Sequence, residues 1–351
     1  MGNAIKDKRI LFVCGNPPHP LHVSFAKRIG ADFFHYPSDD QKESLRTLKN
    51  IPRDYDIYFT EGFFNYLSLL KLLRCLKKSA KIINLFSDPR LFQIFSGEKF
   101  DMKKSKLKKY PFFQRQIVKR NIKKLDGAFC IGDFSASLFR EYNKISPMIN
   151  VPAFVFEKKA KPLLKIIPDL SSQNILFIGH GPDFHYKGLD ILIEVFRKIK
   201  KSAPNAKLYI LGKWDVKKEW KSKDIYFEGV QEIFPYLKKC SLSVHLGRGE
   251  AFGINVLETM LAGIPTLVSN YTGAKEAVEK ADKNFVVPFN KKIIIKRILE
   301  YFELNIKNKK KLSAACRKAA KDYDEKKLLK SFEKQFEKLV EEVYDENFDN
   351  K

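Results

Sequence analysis

At 351 residues the chain is longer than one hydrophobic core usually organises, which predicts two domains of about 150 residues each, and an apolar fraction of 44% can supply both cores. A formal net charge of +25 favours anionic partners such as nucleotides, phosphorylated sugars or anionic lipid surfaces. The five cysteines (Cys14, Cys75, Cys130, Cys240, Cys316) are scattered, odd in number and lack a CxxC pair, which argues for reduced thiols over a disulfide or metal framework.

The first residues, MGNAIKDKRILFVCGNPP, hold an apolar run too short for a signal sequence or a membrane span, and no later segment reaches eighteen apolar residues. Lys6 stands where a myristoylation signal needs Ser or Thr. The expected location is the cytoplasm, with peripheral attachment to the inner face of the membrane as an added expectation.

Along the chain, short β-branched or aromatic runs alternate with longer helical patterns, which predicts parallel sheets wrapped by helices. RILFVC (9–14), DFFHY (32–36), DIYFT (56–60), KIINLF (81–86) and GAFCI (127–131) read as strands of a first sheet. NILFIG (174–179), KLYILG (207–212), DIYFEG (224–229), LSVHL (242–246) and PTLVS (265–269) read as strands of a second. Three prolines and a Lys-rich patch within 151–173 suit a linker. The predicted organisation is therefore a domain over 1–155, a linker over 156–172 and a second domain over 173–325. A C-terminal helix and acidic tail follow over 326–351, with Leu328, Phe332, Phe336 and Val340 recurring every four residues. That apolar stripe is expected to pack back on the N-terminal domain.

Doubly wound sheets bind ligands beyond the carboxyl ends of their strands. One such end reads RGEAFGINVLETMLAGIP (248–265). Glu250 falls in a Gly-containing turn, and Ile254, Leu257 and Leu261 mark one face of a following helix that Gly263 stops. The backbone N–H groups of Phe252, Gly253 and Ile254 would form an anion site at the helix start. Glu258 lies about 6 Å further along the axis, too far to cap, and suits a pair of ribose hydroxyls. A glycosidase carboxylate pair is the other chemistry two such acids suggest, but one acid in a turn and one inside the next helix do not match it.

The string E-AFGINVL-E, with TMLAGIPTLVSNYTGAKEAV after it, resembles the E-x7-E signature of family 4 glycosyltransferases, retaining enzymes of the GT-B fold. FIGHGPDFHYKGLDILIEVF (177–196) is similar to the family's Gly-rich phosphate segment, and KLYILGKW and YFEGV fall in order between the two. The likeness is dense over 172–280 and sparse over 1–155. It implies two Rossmann-like doubly wound domains facing a cleft, and transfer of a sugar from a nucleotide-sugar donor to an acceptor hydroxyl. The acceptor would be a glycan or lipid-linked molecule, in the synthesis of cell-surface polysaccharide, glycolipid or glycoprotein glycans. Carried over residue by residue, the likeness gives Glu250 the donor-sugar hydroxyls, Glu258 the ribose and Lys187 the diphosphate. The amides of 252–254 share the diphosphate, Gly179 and His180 form the phosphate turn, and Val230 lies on the loop that meets the base. The resemblance implies no cofactor and no metal, the nucleotide-sugar being a co-substrate.

This chain departs from the pattern in two places. The family usually carries Arg where His180 stands, so His180, Arg248 or Lys213 would have to supply the second diphosphate cation. Where many relatives carry a His-Asp pair, this chain reads Ser87-Asp88, leaving Asp88 as an acceptor contact and His19 or His22 to replace the histidine. Gly15 would bring backbone close to donor and acceptor. The remaining histidines, His35, His185 and His245, lack metal spacing and read as packing or surface positions. Residues 103–124 combine a run of Lys and Arg with interleaved aromatics and no acid, which suits an anionic membrane surface; without a nucleic-acid module, nucleic acid is not an expected partner. Two readings compete with a transferase: a GT-B nucleotide-sugar epimerase, and a non-catalytic protein of the same fold that binds sugar-nucleotide or glycan.

Overall fold

The computed structural model describes residues 3–37, 40–62, 64–87, 112–180 and 184–345. Asp88 and residues 103–111 of the basic segment lie outside them. Phe154–Glu325 form one compact unit; the residues before them and those from Lys326 onward form the other, apart from 97–108.

The first unit is a parallel sheet of β1 (Ile10–Asn16), β2 (Asp32–Pro37), β3 (Ile57–Thr60), β4 (Lys81–Phe86), β5 (Gly127–Cys130) and β6 (Met148–Asn150). Their order is β2-β1-β3-β4-β5-β6, so the winding direction reverses between β1 and β3. Phe12, Phe59 and Phe129 from three of these strands are fully buried, as continuous apolar runs in a sheet covered on both faces require. The C-terminal helix Glu325–Tyr344 supplies part of that cover. Its Phe332 ring lies 4.7 Å from Phe25 and 4.9 Å from Phe129, and Phe336 lies 5.6 Å from Phe59.

The second unit holds β7 (Asn174–Ile178), β8 (Lys207–Leu211), β9 (Ile225–Gly229), β10 (Leu242–His245), β11 (Thr266–Ser269) and β12 (Val286–Val287). All pairs are parallel, in the order β12-β11-β10-β7-β8-β9. The reversal falls between β7 and β10, so this sheet's ligand crevice lies outside the carboxyl ends of those two strands.

The segment expected as a linker, 156–172, is built into this second unit. Glu157–Leu163 is a helix, Val155 bridges Asp324, and Leu163, Ile166 and Leu170 are buried. Its prolines and lysines mask those three apolar anchors in the sequence. The short strands β6 and β12 carry too few residues to show a period of their own.

Candidate active site

β10 ends at His245, and the chain then turns through 246–253 into the helix Ile254–Leu261. Backbone bonds fix this turn: Arg248 N–H donates to the Tyr186 carbonyl at 2.8 Å, Glu250 N–H to Tyr271 at 3.1 Å, and Gly273 N–H to Glu250 at 3.0 Å. Gly253 enters the helix at φ +95°, a conformation L side chains rarely adopt. The helix start leaves its first N–H groups without intrahelical acceptors, at the positive end of its dipole.

Glu250 thus stands at the reversal point of the sheet, with its side chain 15% exposed. Lys187 Nζ lies 2.6 Å from its Oε1 and His245 Nε2 lies 2.9 Å from its Oε2. Burial by itself would raise this carboxyl, but the Lys187 charge and His245 outweigh it and hold the group well below the ordinary range. Lys187 is aimed by Gly188, which at φ +74° starts the helix Leu189–Ile199. His245, expected as a packing or surface position, is buried at the strand end, five residues before Glu250.

Glu258 is buried on the following helix and pairs with Lys159 Nζ at 2.7 Å, a partner from the segment read as linker. A ribose at Glu258 would share the carboxylate with this ammonium. Burial raises the Glu258 carboxyl above its usual value, and Lys159 offsets part of that rise. A carboxyl raised in the folded state favours folding most when protonated, so its contribution is lost as pH rises above about 4. Lys159→Met is therefore expected to lower the melting temperature more at about pH 8 than at about pH 4. Equal losses at both would show that the ammonium does not act on Glu258.

Arg248, one of the three cations expected at the diphosphate, already has protein partners. Its buried guanidinium makes two bonds to Asp190, at 2.7 and 3.1 Å, donates to the His185 carbonyl and lies 4.3 Å from the Phe289 ring centre. Held this way it ties two segments together. His180 and Lys213 are exposed. Gly179 follows β7, where a Cβ would meet the Phe177 ring at 2.9 Å and Trp214 at 3.0 Å. Val230, just after β9, is 74% exposed, whereas Phe252 is buried with its ring 5.7 Å from Tyr323. The structure thus joins Glu250, Lys187 and the helix start, while Glu258 takes its own lysine.

In the first unit, Gly15 N–H donates to Glu61 Oε1 at 3.0 Å, and His22 Nδ1 bonds Glu61 Oε2. His19 caps the helix Pro20–Arg28, its ring 4.7 Å from His22. Glu61 passed unnoticed in the sequence because a lone acid after a strand has no spacing to flag it. Burial raises its carboxyl, but His22 and the Gly15 amide lower it further than burial raises it. Among the described residues, no group of three or more His, Cys, Asp or Glu is placed to hold a metal ion.

Residues 161–323, which span Lys187, Glu250 and Glu258, match the family described as glycosyl transferases group 1. The match lies within the second unit, which is thus similar to a group 1 glycosyltransferase domain. An uncharacterized glycosyltransferase of Haemophilus influenzae is 25% identical over 177 residues, 47% of this chain and 49% of that one, so the match spans about half of the relative's length. Sucrose-phosphate synthase from Thermosynechococcus elongatus superposes with a TM-score of 0.71 at 12% identity, over 95% of this chain and 99% of that one. HepE of Anabaena in complex with UDP-glucose gives 0.66 at 15% identity, over 95% and 99%. These likenesses show the GT-B fold, with two Rossmann-like domains.

Proposed function

We propose that this chain moves a sugar from a nucleotide-sugar to an acceptor hydroxyl, with retention at the anomeric carbon. The observation that carries the reading is the Lys187–Glu250 pair beside the start of the helix Ile254–Leu261, at the reversal point of a unit similar to a group 1 domain. In the transfer the bond from C1 to the diphosphate oxygen breaks, its electron pair stays on the phosphate, and the acceptor oxygen forms the new bond and gives up its proton. Charge therefore grows on the diphosphate, where Lys187 and the helix-start amides would stabilise it. Glu250, an ionised acceptor, suits the sugar hydroxyls, and Glu258 the ribose. HepE with bound UDP-glucose supports a nucleotide-sugar as the donor. Retention and a role in surface polysaccharide, glycolipid or glycoprotein glycan synthesis rest on the E-x7-E resemblance.

An anionic membrane surface is the second partner proposed. On the helix Phe112–Ile122, Phe112, Phe113 and Ile117 are 61%, 79% and 53% exposed, beside the exposed cation Arg115. No helix among the described residues is long and apolar enough to cross a membrane.

A thermal-shift panel of UDP, GDP and ADP tests the donor reading. At a hundred times its dissociation constant, one of them is expected to add about 2.7 kcal/mol of stability. Lys187→Met is expected to need more of the same nucleotide for the same shift. A panel in which no nucleotide raises the melting temperature contradicts the reading.

A further inference from the structure

His245 is held on three sides. Its ring stacks on Phe177 at 6.2 Å and 10°, its Nε2 faces Glu250 Oε2 at 2.9 Å, and its Nδ1 lies 3.3 Å from Asn255 Nδ2. The same Asn255 nitrogen donates to the carbonyl of Ile178, the last residue of β7. A carbonyl only accepts, so the amide nitrogen must be the end that faces it, and its second hydrogen points to His245 Nδ1. Nδ1 is then placed as the acceptor, and Nε2–H is the ring's donor, directed at Glu250. Gly247 completes the enclosure: a Cβ there would lie 3.3 Å from His245 Nε2 and 3.3 Å from the Glu250 Cβ.

We infer that His245 is a positioning residue for the donor sugar, its tautomer set by Asn255 so that Nε2–H pins Glu250 Oε2 while Lys187 holds Oε1. The inference rests on the proposed role of Glu250 as the acceptor of donor-sugar hydroxyls. A carboxylate oxygen accepts about two hydrogen bonds, so with one taken on each by His245 and Lys187, one remains on each for the sugar. Both remaining positions are acceptors in a fixed plane. The sugar face that meets Glu250 must therefore present hydroxyl or N–H groups, and a carboxylate on that face would meet a second negative charge.

Two variants separate positioning from packing. His245→Phe keeps an aromatic ring on Phe177 and removes the donor, whereas His245→Gln supplies an amide N–H in place of Nε2–H. UDP, GDP and ADP binding is measured by titration calorimetry. The release of nucleoside diphosphate from the matching nucleotide-hexose is measured with water as acceptor. The Phe variant is expected to bind nucleoside diphosphate like the wild type and to release it about 10- to 100-fold more slowly, the effect of one lost hydrogen bond to a charged group. The Gln variant is expected to regain most of that loss. Three results overturn the inference: wild-type release from the Phe variant, loss of nucleotide binding together with release, or a Gln variant as slow as Phe. A wild-type chain that binds none of the three nucleotides removes the donor reading itself, and the inference with it.

Discussion

A Gly188→Ala chain is expected to lose the folded second unit at ordinary temperature. Gly188 has φ +74°, and a Cβ there would lie 1.8 Å from the carbonyl oxygen of Leu246 and 2.5 Å from its carbon. Both are backbone atoms, so no rotamer relieves the overlap. Leu246 would have to move, and with it the turn that carries Glu250. The left-handed conformation alone costs a non-glycine residue about 1–2 kcal/mol. With the overlap the total is expected to exceed about 4 kcal/mol, a large share of a domain's stability. Gly229→Ala is the control, since it has φ +71° but nothing within 4 Å of its Cβ. It is expected to cost only the conformational part. Thermal unfolding followed by circular dichroism distinguishes the two, and equal losses would contradict the close approach of Gly188 to Leu246.

Glu250→Gln is expected to destabilise the chain by about 3–5 kcal/mol at neutral pH, because it removes one side of a buried ion pair and leaves Lys187 uncompensated. The dependence on pH follows from the sign of the shift. The Glu250 carboxyl is lowered in the folded state, burial being outweighed by Lys187 and His245. Its contribution is therefore complete above the unfolded value of about 4.3 and is lost as pH falls below it. The stability gap between wild type and Gln variant is expected to narrow progressively below about pH 4 in urea unfolding. A gap that stays constant through that range would show that the carboxylate charge does not support the fold.

Most of the strands were legible because buried parallel strands are written as short continuous apolar runs, and NILFI and KLYIL are examples. The E-x7-E spacing located Glu250 and Glu258, and the strand ends located Lys187. What the sequence hid were partnerships across long separations. Lys159 and Glu258 are 99 positions apart, and His22 and Glu61 are 39 apart. Such pairs are set by which strands lie side by side, and no local period records that. Arg248 is similar: an arginine beside a phosphate-type loop reads as unpartnered until the fold brings Asp190 against it. His245 is buried as a packing histidine would be, and its bond to Glu250 is set by the turn that follows the strand.

Glu250 and Lys187, beside the start of the helix Ile254–Leu261, are the proposed donor site of a glycosyltransferase. Its most direct test is the release of nucleoside diphosphate from UDP-, GDP- and ADP-hexoses by the wild type and by Glu250→Gln, at a pH where both are folded. The wild type is expected to release nucleoside diphosphate from one nucleotide class. A loss of about 100-fold or more is expected in the variant, because both remaining sugar contacts and the fixed charge go together, with nucleoside diphosphate affinity kept. Release that is unchanged by Glu250→Gln would contradict it.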